Sequence, residues 1–92
     1  MSEPRGALYK NVSASGLIQT GSGCLFGIVV NSHTASTIKL WDNTAASGTI
    51  ILNTYTLPTG SSSIEFPEPI CFVNGLYLTK GAGAADLTVI YK

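Results

Sequence analysis

Apolar residues at helical spacing are missing from nearly the whole chain. What recurs instead is a short β-branched or aromatic run, a break of Gly, Pro, Asn or Ser, and then another run. TIILNTYTL at 49–57 is the longest run, and ALYKNV, GLIQT, TIKLW, SIEF, ICFV, LYLT and LTVIYK are of the same kind. In TIKLW, Ile38 and Leu40 fall on one face with Lys39 and Trp41 on the other, and in the last run Leu87, Val89 and Tyr91 share a face. CLFGIVV at 24–30 is continuously apolar, as a strand buried on both faces is, and Gly27 within it marks a bulge or a close backbone approach. NSHTAS has the length and polarity of a hairpin tip, and Asn74-Gly75 is the strongest tight-turn dipeptide in the chain. Proline interrupts the segment between SIEF and ICFV.

Such a chain is all-β. The spacing predicts a single compact β-sandwich or jelly-roll-like domain of about eight short antiparallel strands over residues 8–92. Residues 1–7 carry Glu3, Pro4 and Arg5 with no strand signal, and are expected to form a flexible N-terminal arm.

Composition narrows the function classes. Of the 92 residues, 45% are hydrophobic and 11% charged, against a usual charged share of about 25%. The formal net charge is zero, so little electrostatic repulsion holds copies apart, which points towards an assembled protein. Arg5, Lys10, Lys39, Lys80 and Lys92 are scattered singly, without the basic stripe that phosphate contacts require, so no nucleic-acid partner is expected. No run approaches the roughly 20 apolar residues of a helical membrane span, and no membrane partner is expected. MSEPRGALYK lacks a basic stretch followed by an apolar one, so synthesis in a cytoplasm is expected. Cys24 and Cys71 each lie in an apolar run, which favours two buried thiols; a disulfide between neighbouring strands is the alternative, disfavoured in a reducing compartment.

Catalytic machinery is hard to assemble from these residues. His33 is the one histidine, and it falls in the expected loop rather than on a rigid element. Glu65 and Glu68 flank Pro67, and nothing in their spacing aims them at a common point, as a pair of glycosidase carboxylates must be. KGAGAAD has no helix after it to form a phosphate loop. The reading is of a non-enzyme with no catalytic residues, no metal site and no cofactor. Leu40-Trp41-Asp42-Asn43 places an indole beside a carboxylate and an amide, the groups a lectin uses. The same four residues also describe a strand end followed by an Asx turn.

The segments GCLFGIVVN, TIKLWDNTAASGTIILNTYT and FPEPICFVNGLYLT, with a short Thr/Val strand at the end, resemble small β-sandwich virion structural proteins of tailed bacteriophages. The resemblance covers residues 17–92, and KLWDNT and NGLYLT are its most specific parts. It implies a capsid decoration (cement) protein: a small rigid domain that clamps neighbouring major capsid subunits as a symmetric homo-oligomer, a trimer above all, on the virion surface. Multivalency would raise the avidity of weak individual contacts by about 10² to 10⁴. Trp41, Tyr55 and Tyr77 are the candidate interface anchors, as aromatic residues on outward strand faces. The rival readings are a tail, baseplate or fibre component, and a carbohydrate-binding module for host-surface glycans.

Overall fold

The computed structural model describes residues 8–57 and 62–92. They form eight strands: β1 (Leu8–Val12), β2 (Gly16–Thr20), β3 (Gly23–His33), β4 (Thr37–Asp42), β5 (Thr49–Thr56), β6 (Ser62–Phe72), β7 (Gly75–Lys80) and β8 (Ala85–Tyr91). All neighbours pair antiparallel, in two four-stranded sheets ordered β1-β8-β3-β6 and β2-β7-β4-β5. That interleaving is the jelly roll, a sandwich of two Greek keys. The all-β sandwich expected from the run-and-break pattern is present. The expected arm, residues 1–7, lies outside the described residues.

The chain changes sheet at every connection except one. Only β4 and β5 are consecutive and paired, so only they form a hairpin. The turn chemistry at NSHTAS and at Asn74-Gly75 does reverse the chain, but it carries it across to the other sheet and not back along the same one. β3 also runs to His33, which sits half-buried opposite Ala85, so the loop before β4 is shorter than the sequence implies.

Period-2 alternation builds the core. Ile38 and Leu40 of β4, Leu76 and Leu78 of β7, and Leu87 and Val89 of β8 are all at most 1% exposed. Leu25, Ile28 and Val30 of β3 and Phe72 of β6 join the β8 pair to face β4 and β7 from the other sheet. Burying one such side chain contributes about 1.5–3 kcal/mol.

β3 breaks the alternation twice, between Val30 and Ser32 against β8 and, earlier, at Gly27. The register slips between Leu25 and Gly27 against both β6 and β8, so Leu25 and Ile28 both point inward and Phe26 is turned outward, 40% exposed. A Cβ on Gly27 would lie 2.8 Å from the Ile64 carbonyl oxygen, so both features that its glycine suggested are realised. CLFGIVV is therefore not a strand buried on both faces; its outer side carries Phe26 and the half-buried Val29.

Two further expectations are corrected. Pro67 and Pro69 do not divide the segment into two strands, since β6 runs through them, but they do interrupt its pairing: β3 pairs with Glu65 and next with Ile70, so residues 66–69 have no register partner and the missing N–H groups cost no ladder hydrogen bond. The cysteines are not buried thiols. Cys24 and Cys71 face each other across β3 and β6 and form a disulfide, with Cys71 exposed and Cys24 half-buried. Cys24 spends both backbone groups on Lys92, each hydrogen bond 2.8 Å long. Towards β6 it is thus a non-hydrogen-bonded pair, the arrangement that brings facing side chains closest.

Candidate interaction surface

The sheet containing β4 carries an unusual outer face. In a half-solvated antiparallel sheet the outward positions are ordinarily polar. Here Leu17 of β2 registers with Tyr77 of β7, Tyr77 with Trp41 of β4, and Trp41 with Ile50 of β5. Residues paired in this way share a face, so four large side chains form one row across all four strands, about 14 Å at the usual strand spacing. Leu17 and Ile50, at its ends, are 36% and 42% exposed, and Trp41 and Tyr77 are half-buried.

The tryptophan is held from two sides. Its indole N–H donates to the Thr79 hydroxyl at 3.3 Å, and that hydroxyl donates to the Lys39 carbonyl at 3.3 Å. The Lys39 ammonium lies 4.4 Å from the indole ring centroid, a cation–π contact worth about 0.5–1 kcal/mol at an exposed position. Lys39 and Thr79 are themselves register partners, so the support forms the next row of the same face. An aromatic fixed in this way loses little side-chain entropy when a partner covers it.

Asp42 and Asn43 are occupied elsewhere. The Asp42 carboxylate accepts the backbone N–H groups of Val73 at 3.1 Å and Asn74 at 2.8 Å, tying the start of the β4–β5 loop to the β6–β7 connection. Asn43 accepts the Thr44 N–H through Oδ1 and donates through Nδ2 to the Ser47 carbonyl, both at 2.8 Å. The indole, carboxylate and amide of LWDN therefore do not converge on one point: the polar pair builds turns.

Of the three expected anchors, Trp41 and Tyr77 sit side by side in this row. Tyr55 does not join them. β5 carries two register irregularities against β4, which leave Tyr55 opposite buried Ile38, 38% exposed near the far end of the edge strand. Ile50 takes the place beside Trp41. Leu17 and Ile50 went unnoticed in the sequence because each is followed at once by another apolar residue, Ile18 and Ile51, so alternation does not tell which of the two faces out.

Among the described residues no three or more His, Cys, Asp or Glu side chains form a group able to hold a metal ion. Asp86 accepts the side-chain amides of Asn11 at 2.7 Å and Asn31 at 3.4 Å, and Glu65 accepts the Ser63 hydroxyl at 3.3 Å. Among the described residues no helix is long and apolar enough to cross a membrane. No family model, no curated protein and no solved structure matches the chain.

Proposed function

We propose that this protein is a non-enzymatic structural component of a phage virion, a capsid decoration protein that clamps neighbouring major capsid subunits and strengthens the head. The observation that carries the proposal is the Leu17–Tyr77–Trp41–Ile50 row: an aromatic and aliphatic stripe on the outside of a rigid sandwich, in the place where a solitary domain would be polar. Two further features support it. A chain of zero net charge adds little repulsion to dense packing on a shell. The disulfide across β3 and β6 is a brace suited to a particle that functions outside a cell, where it can form after lysis.

In this reading Trp41 and Tyr77 are the anchors that a shell subunit covers, with Leu17 and Ile50 closing water out around them. The clamp works as a symmetric homo-oligomer, a trimer at a threefold junction, so that each weak contact is multiplied by avidity. The test is co-sedimentation with shells assembled from the major capsid protein of the same virion. Wild type should pellet with shells in saturable amounts, and Trp41→Ala should lose about 2 kcal/mol of affinity, roughly 30-fold, while keeping its β-type circular dichroism. A folded Trp41→Ala protein that binds shells as wild type does would remove the row from the account, and absence of wild-type binding would remove the function.

A further inference from the structure

The opposite sheet also has an outer face, and it divides into two unlike halves. In one half the Asn11 side-chain amide donates to Asp86, to the Leu87 carbonyl and to Thr88, while the Asn31 amide donates to Thr88 at 3.0 Å and to Asp86. These polar groups satisfy one another. The other half is apolar, with Tyr9, Ile90, Phe26 and the Cys24–Cys71 disulfide.

Within the apolar half lie a knob and a socket. The knob is Tyr9, 76% exposed, the most exposed large apolar side chain among the described residues. The socket is a depression of about 130 Å³ above Gly27, bounded by Phe26, Val29, Ile90, Ser63 and Glu65. It exists because the bulge throws Phe26 outward and because Gly27, lacking a side chain, lets the Ile64 carbonyl approach, so that backbone forms its floor. Its size suits one aromatic ring: a dry cavity of about 150 Å³ lined by aliphatic and aromatic side chains accepts benzene. At its rim the Glu65 carboxylate is an acceptor within the same row, suited to a phenol O–H.

We propose that this face is a self-association surface, in which Tyr9 of one copy fills the depression above Gly27 of the next. A second copy is the occupant because this chain supplies both halves of the contact on one face and in one register row: Tyr9 pairs with Ile90, and Ile90 with Gly27. Two strand spacings separate knob from socket, and Tyr9 stays largely exposed instead of folding down on its own chain. Tyr9 lies on the edge strand β1, whereas the socket lies between β3 and the opposite edge β6. Each copy thus offers one knob and one socket, and copies joined through them can close into a symmetric oligomer. Such contacts would close the symmetric oligomer of the proposed function. The inference rests on that reading only for the expectation of a symmetric oligomer, and it leaves the Trp41 face free for the shell.

The experiment measures solution mass by light scattering across a dilution series, without shells. Four proteins are compared: wild type, Tyr9→Phe, Tyr9→Ala, and Ser63→Trp, which lays an indole over the socket. Wild type and Tyr9→Phe should assemble within a few-fold of the same concentration. Tyr9→Ala and Ser63→Trp should need roughly 30-fold more protein, with unchanged circular dichroism. An equimolar mixture of these two variants should give a one-to-one heterodimer, because one retains the socket and the other the knob. A merely destabilised fold has no way to produce that rescue. The inference is overturned if Tyr9→Ala assembles as wild type does, if the mixture assembles no better than either variant alone, or if wild type itself is monomeric throughout. In the last case shell binding through Trp41 still stands or falls by its own co-sedimentation test.

Discussion

Reduction of the Cys24–Cys71 disulfide should cost this domain a large part of its stability. The bridge closes a loop with a sequence separation of 47. By the chain-entropy relation, cross-linking a loop of that length removes about 14 cal/mol/K from the unfolded chain, or about 4 kcal/mol at 25 °C. A domain of this size has a total stability of about 5–14 kcal/mol, so the loss is about a third of it or more. The effect should be strong because few other links do the same work. Six of the eight strands have only neighbours that are distant along the chain, and β6 is an edge strand that pairs with β3 alone. At roughly 4–8 °C per kcal/mol, the midpoint should fall by about 15–30 °C. The assay is thermal melting by circular dichroism with and without dithiothreitol, with thiols counted in the native and reduced protein. Native protein should show no free thiol, reduced protein two, and a Cys24→Ser/Cys71→Ser variant should melt like the reduced form. Midpoints within about 2 °C of each other, with thiols confirmed as reduced, would refute the loop-closure reasoning and leave β3–β6 pairing sufficient by itself.

Other substitutions test the packing and the turns. Gly27→Ala should destabilise by about 1–3 kcal/mol in urea unfolding, because its methyl group would meet the Ile64 carbonyl oxygen at 2.8 Å and backbone must give way. Leu40→Ala, in the middle of the sandwich and fully buried, should cost about 2–5 kcal/mol by the same measurement. Asp42→Ala should lose about 1.5–3 kcal/mol through the freed amides of Val73 and Asn74, and should leave the shell affinity of the folded protein unchanged, since the carboxylate builds a turn.

The sequence was legible wherever alternation alone carries the information. Ile38 and Leu40 inward, with Lys39 and Trp41 outward, could be read directly from TIKLW, and the Gly27 bulge could be read from one glycine in an apolar run. Strand partners could not be read this way. A period of two assigns a face to each residue but carries no address for the neighbouring strand, and Asn74-Gly75 reverses a chain equally well within a sheet or between two. Pro67 and Pro69 signalled a break that falls in the β3–β6 pairing and not in the strand itself; that an edge strand can carry the chain past such an unpaired stretch is a property of the whole fold. The disulfide depended on the same unknown, since only the β3–β6 pairing brings Cys24 opposite Cys71. The candidate surface was half legible. Trp41 and Tyr77 carry the aromatic signal, whereas the bulges in β5 exchanged Tyr55 for Ile50, and nothing local to TIILNTYT encodes that shift.

We propose that this small sandwich strengthens a phage head, and the temperature at which DNA escapes from heads tests that proposal. Heads of the same virion, stripped of the protein and then supplied with it, can be heated in the presence of a DNA-binding dye. The account predicts saturable rebinding, a release temperature that rises with occupancy, and no rise with Trp41→Ala at concentrations where wild type saturates. A release temperature that stays the same with the protein fully bound, or heads that take up none of it, would contradict the account.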